Sequence, residues 1–119
     1  MKKTISAAAF ALAAVASPTV LATAACNGSG ASASVAAANP PVFVKRTFST
    51  KCSANVLSEW AEANVSAGVV AGSTKGKSVF GGGTLGGGVK YITNCAASSG
   101  CASTDVTVER AQAARDSNS

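Results

Sequence analysis

Histidine is absent from the 119 residues, and charged residues make up only 13% of the chain. The chain therefore lacks the side chain that most often acts as a general base, or as a metal ligand, near neutral pH. Its cysteines do not have the CxxC-like spacing of a structural zinc site. We predict a protein that is not an enzyme, with no catalytic residues, no cofactor and no metal.

Large hydrophobic side chains are also scarce. Aromatic residues account for 5% of the chain, and much of the 47% hydrophobic fraction is alanine, which buries little surface. A core this small leaves a narrow margin of stability, so a covalent cross-link would matter. The length allows one domain at most.

The first 24 residues have the layout of a bacterial secretory signal peptide. Lys2 and Lys3 form a charged start, the apolar segment 5–15 follows, and Ala22-Thr23-Ala24 is a small-x-small cleavage site. The apolar segment is shorter than the roughly 20 residues of a membrane span. We predict an exported protein cut after Ala24, with Ala22 as the second choice, located in the periplasm, outside the cell or on its surface.

Removal of the leader also changes the charge. The formal net charge of +5 falls to +3 when Lys2 and Lys3 leave. This net positive charge is well below that of typical nucleic-acid-binding proteins. Nucleic acid is therefore excluded as an expected partner, and no transmembrane segment is expected after the leader.

All four cysteines, Cys26, Cys52, Cys95 and Cys101, follow the predicted cut. An even number in a small exported protein predicts disulfides. A bridge from Cys52 to Cys95 would close a long loop and remove unfolded-chain entropy worth about 4 kcal/mol. A bridge from Cys95 to Cys101 would remove about 2.5 kcal/mol. We therefore predict a Cys52–Cys95 bridge, with Cys101 either paired to Cys26 or free.

Cys26 has a second interpretation as a lipidated N-terminus. The sequence Thr23-Ala24-Ala25-Cys26 loosely resembles a lipobox. Thr23, however, stands where that motif has Leu, Val or Ile. A lipid anchor at Cys26 is thus the weaker alternative.

Composition divides the mature chain into three parts. Residues 25–41 are mostly Ala, Ser, Gly and Asn and end in Pro40-Pro41, which predicts a flexible tether. Residues 42–101 carry β-prone segments and predict a β-rich, disulfide-stapled domain. Residues 102–119 predict a tail with either a short strand at 105–109 or a frayed helix at 109–115.

Residues 55–67 have helical spacing. Asn55 can cap such a helix, and Glu59 and Glu62 are interpreted as its exposed acidic face. A strand leading into the next one is the alternative. The apolar stripe consists of Val56, Leu57, Trp60, Ala61 and Val65.

Nine of the twelve glycines lie between Gly68 and Gly88, so this block is where bends and close backbone contacts are expected. The pattern predicts a hairpin over 68–80 and strands at 42–48 and 89–93. Segment 71–78 matches a relaxed phosphate-binding loop. The glycines that follow it cannot sustain the helix such a loop requires.

The predicted fold class is thus small and β-rich (all-β or α+β), with short antiparallel strands, one candidate helix near 55–67 and disulfide staples. The Gly/Ala/Ser/Val-rich, low-charge composition predicts a structural or surface protein that associates with itself or with envelope or matrix components. The alternative is a periplasmic or extracellular module that binds an anionic ligand at a rim formed by Lys45, Arg46 and Lys90. A cationic antibacterial factor is the third hypothesis.

Overall fold

A five-stranded antiparallel sheet dominates the computed structural model, which describes residues 22–86 and 88–117. Its strand order is β1-β4-β5-β6-β7, while β2 and β3 form a separate two-stranded sheet. The predicted β-rich, antiparallel, disulfide-bonded fold is thus confirmed. The elements are β1 (Ala22–Ser29), β2 (Ala33–Val35), β3 (Phe48–Thr50), β4 (Ala54–Ala63), β5 (Ser66–Ser73), β6 (Ser78–Gly83), β7 (Lys90–Asn94), a 3-10 turn (Ser103–Asp105) and α1 (Val108–Asp116).

The glycine-rich hairpin forms as predicted. β5 pairs antiparallel with β6, with Gly68 opposite Gly83 and Gly72 opposite Val79. The amide of Gly76 donates to the Ser73 carbonyl at 2.9 Å and closes the turn. β7 then adds to β6 close to the predicted strand at 89–93.

Helix α1 lies directly on the glycines of this hairpin. Ala111 and Ala114 are buried on its inner side. A Cβ added to Gly68 would collide with the Ala111 carbonyl oxygen, and one added to Gly83 would collide with that of Ala114. The helix backbone can approach the sheet this closely only because these two positions lack side chains.

The hydrophobic core fills the space between this helix and the sheet. The loop that carries Cys95 and Cys101 closes one end, where the amide of Cys101 donates to the Ser73 carbonyl at 3.0 Å. The buried residues of the core are Leu57, Ala61, Val70, Val79, Cys101, Val106, Ala111 and Ala114.

The helix predicted for 55–67 is wrong, because this segment forms β4 and then a turn. Asn55 is no cap: it has a left-handed φ of 67° at the start of the strand. Since β4 is covered by α1 on one face and locally by the loop at 42–46 on the other, its apolar residues do not alternate and they imitate a helical stripe. The helix of this chain lies instead within the tail, as the second prediction for residues 109–115 allowed.

The tether predicted for 25–41 is also wrong, because β1 and β2 fall within or across it. Its composition cannot bury a core, but its backbone pairs with β4 and β3. The predicted strand at 42–48 is reduced to β3, which begins at Phe48. The predicted leader lies outside the described residues, except that 22–24 begin β1.

The bridges are Cys26–Cys52 and Cys95–Cys101, so the predicted Cys52–Cys95 pairing is wrong. Their Cα–Cα distances are 5.6 and 4.9 Å. Cys52 precedes β4, whereas Cys95 follows β7, three strands further across the sheet. Three strand spacings are about 14 Å, twice the reach of a disulfide. The order of the strands therefore decides which cysteines pair, although loop-closure entropy favours a Cys52–Cys95 bridge.

We expect Gly68→Ala to lower the free energy of unfolding by about 1–3 kcal/mol, because the new methyl group forces α1 away from the sheet. Chemical denaturation measures the change. Gly76→Ala is the matched control, since its Cβ would meet the Ser73 Cβ at 3.2 Å and no helix backbone. An equal loss for both variants would contradict the close contact between α1 and β5.

Candidate functional site

The candidate site is the face of the sheet opposite α1, which we call the open face. Strand alternation places Leu57 and Ala61 against the helix and Trp60 on the open face. Large apolar residues remain exposed there, which is the usual mark of an interaction surface. Val69, Phe80 and Tyr91 lie on this face, and Phe43 and Phe48 are exposed in the loop and in β3 beside it.

An apolar cavity of about 570 Å³ occupies one end of this face. Trp60 forms part of its wall and is only 4% exposed. The size is within the range of small-molecule sites. The other lining residues are Ala25, Cys26, Val35, Phe43, Val44, Lys45, Arg46, Phe48, Thr50, Ser58, Ala67 and Val69.

Glu62 holds the loop that roofs this cavity. Its side chain is fully buried, and Oε2 accepts hydrogen bonds from the amides of Phe43 at 3.2 Å and Val44 at 2.7 Å. These bonds satisfy loop amides that the predicted strand would have paired with a neighbour. The interpretation of Glu62 as an exposed acidic residue is therefore wrong.

Two buried polar atoms beside the cavity lack hydrogen-bond partners among the described residues. They are Nε1 of Trp60 and Oε1 of Glu62. An unpaired buried donor or acceptor costs about 1–3 kcal/mol. A ligand or a water that reached the Trp60 indole would remove this cost.

The structure brings two of the three predicted rim residues together. Lys45 and Arg46 both line the cavity, and the Lys45 ammonium donates to the Val42 carbonyl. Lys90 lies instead on the helix side of β7, in a small pocket with Ala114. The cavity thus has an apolar interior and a cationic edge.

A second hollow of about 420 Å³ continues the open face toward β6 and β7. It shares Ala67 and Val69 with the first cavity. At its border the rings of Phe80 and Tyr91 meet edge to face, with centroids 6.2 Å apart. The apolar surface therefore extends across most of the sheet.

The two glutamates of β4 have opposite surroundings. Glu59 lies on the helix side, where burial and the nearby Glu109 carboxylate raise its pKa. Glu62 is on the open face, so the pair does not converge on one substrate. Among the residues that the structure describes, no group of three or more His, Cys, Asp or Glu side chains could hold a metal ion.

Asp105 organises the loop on the other side of the sheet. Its carboxylate accepts from the amides of Ala96 at 3.0 Å and Ala102 at 2.8 Å. These bonds lower the pKa of Asp105 below its ordinary value of 3.8. Asp105 therefore supports the core that faces α1 and contributes nothing to the open face.

Sequence reasoning missed the role of Glu62. The apolar stripe that includes Trp60 predicts its burial, and Trp60 is 4% exposed, but it lies on a strand and not on a helix. No local signal marks Glu62, because its partners, Phe43 and Val44, lie nearly twenty residues earlier.

Comparison with protein-family models, curated proteins and solved structures finds no match for this chain. Within ranges 22–86 and 88–117, no helix is long and apolar enough to cross a membrane. The class that the fold and site define is a disulfide-bonded antiparallel sheet with one face closed by a helix and the other open.

We expect Glu62→Ala to release the roof loop and to lower the free energy of unfolding by about 1–3 kcal/mol, because two partly buried loop amides lose their acceptor. Since the chain has one tryptophan, its emission reports the cavity directly. Emission should shift to the red, and the amides of Phe43 and Val44 should exchange faster with deuterium.

Glu62→Gln is the matched control. Its carbonyl oxygen can still accept from both amides, so emission should stay close to that of the unmodified chain. An Ala variant whose loop amides remain protected would show that Glu62 does not hold the roof.

Proposed function

We propose that this chain is an exported, non-enzymatic structural protein that associates with further copies of itself through the open face. The observation that carries the proposal is the continuous apolar surface from the Trp60 cavity to the Phe80–Tyr91 ring pair. Monomeric proteins rarely expose contiguous apolar patches larger than a few hundred Å², and larger ones mark interaction sites.

The shape of the open face supports a second copy as the partner. Val69, Phe80 and Gly82 line the second hollow, to which Gly82 contributes no side chain. A surface with both projections and hollows can be complementary to itself across a twofold axis. Two sheets that pack in this way lie about 10 Å apart and bury the apolar side chains of both.

The disulfides support the exported location. The described cysteines are all oxidised, in the pairs Cys26–Cys52 and Cys95–Cys101. Such bonds form and persist in oxidising compartments. The leader predicted for residues 1–24 is consistent with that location.

We expect Val69→Ser to weaken self-association roughly a hundredfold, because each of the two copies in a dimer loses about 1.5 kcal/mol of apolar burial. Sedimentation equilibrium of the oxidised mature chain measures the change. Leu85→Ser is the control: Leu85 is 45% exposed, close to the 48% of Val69, and lines neither hollow. A mature chain that stays monomeric at high concentration would contradict the proposed self-association.

A second candidate function is the binding of an amphipathic anion, which the Trp60 cavity specifically favours. Its apolar wall suits a hydrocarbon chain or an aromatic ring, and Lys45 and Arg46 suit a carboxylate or sulfate at the edge. The predicted anionic-ligand rim is retained here without Lys90.

We expect decanoate to change the Trp60 emission, and Arg46→Ala to weaken this binding roughly fivefold through the loss of one partly exposed ion pair. Titration followed by fluorescence gives the dissociation constant. Lys90→Ala should leave it unchanged, because Lys90 lies on the other side of the sheet. Equal effects of the two substitutions would point to adsorption by net charge.

A further inference from the structure

The first three residues of β1 belong to the predicted leader. Ala22, Thr23 and Ala24 pair with Ala61, Trp60 and Glu59 of β4. The register shifts immediately after Ala24, where a bulge separates it from Cys26. The predicted cut after Ala24 therefore falls at the register shift in β1, and cleavage there would remove the part of the strand that precedes it.

The remainder of β1 stays attached to the sheet. Asn27 pairs with Leu57, Ser29 pairs with Ala54, and the Cys26–Cys52 bridge holds this half in place. β4 is thus an inner strand along its first half and an edge strand along its second. Its unpaired backbone runs beside Trp60 and Ala61, which are 4% and 0% exposed in the uncut chain. Exposed strand edges of this kind recruit another strand.

We propose that leader removal frees residues 59–61 of β4, and that the edge formed by residues 59–63, which we call the slot, then pairs antiparallel with the same edge of a second copy. This inference rests on the proposed self-association and on the cut after Ala24. It adds a second contact to the open face and makes assembly depend on export.

The geometry of the slot fits a twofold pair centred on Ala61. In that register Glu59 lies opposite Ala63 of the second copy, and Trp60 lies opposite its Glu62. No like charges face each other, which removes the usual penalty for pairing identical strands. Both strand edges are paired at once, because the free backbone N–H and C=O groups of each strand form hydrogen bonds with those of the other.

The ends of the slot also match. β4 ends at Ala63, and the chain turns away at residues 64–65. The second copy would therefore leave the sheet before reaching Cys26, which is opposite Ser58. In the uncut chain the leader residues occupy this edge, so the precursor cannot pair before it is exported.

The test compares two oxidised chains, one that begins at Ala22 and one that begins at Ala25. We expect the chain from Ala25 to dimerise at a concentration at least tenfold lower in sedimentation equilibrium. In the chain from Ala25, the amide of Trp60, which points away from β5, should be protected from deuterium exchange in the dimer and should exchange in the monomer. A synthetic peptide of residues 18–24 should compete with the second copy and restore the monomer.

The other outcomes overturn the inference in distinguishable ways. Equal association of both chains overturns the slot and leaves the open face as the only contact, so the proposed function stands. If neither chain associates, both ideas fail. An intact mass showing that the exported protein retains Ala24 also overturns the slot. Val69→Ser in the chain from Ala25 separates the contacts, because slot pairing should survive it.

Discussion

The close contact between α1 and the glycines of β5 and β6 decides the rest of the architecture. α1 has nine residues, which is too short for a stable isolated helix. It persists because Ala111 and Ala114 approach a sheet surface without side chains at Gly68 and Gly83. Small residues on both sides give a thin, dense core from a chain that has few large hydrophobic residues. Once the helix occupies this face, the other face is the one left open.

Glu62 connects the two faces of the molecule. Its carboxyl group holds the loop over the Trp60 cavity, while its carbonyl oxygen accepts a hydrogen bond from Arg115 of α1 at 3.3 Å. Arg115 in turn forms a short ion pair with Asp116 at 2.7 Å. The strand that carries the candidate site is therefore anchored by the helix behind it. Because the carboxyl group that holds the loop and the carbonyl that binds Arg115 both belong to Glu62, a substitution in β4 should affect the packing of the core and the geometry of the cavity together.

The same strand explains why the candidate site could be only partly predicted. A surface strand alternates apolar and polar residues. β4, however, is covered by α1 on one face and locally by the loop at 42–46 on the other, so Leu57, Trp60, Ala61 and Glu62 are all buried. That pattern resembles one face of a helix. Lys45 and Arg46 were recognisable as neighbours in sequence. Lys90 was grouped with them by charge alone, and strand alternation at β7 places it on the opposite side.

Features of this chain that depend on adjacent residues could be predicted from the order of the amino acids. Valines between glycines predict the β5–β6 hairpin, and an even set of cysteines predicts disulfides in an oxidising compartment. The tertiary structure alone decided the bridge partners, the helix location and the role of Glu62. The reason is physical: loop-closure entropy and periodicity are properties of the chain, whereas a bridge or a buried hydrogen bond requires two distant segments to be neighbours. Strand order sets those neighbours, and it follows from how the whole chain packs.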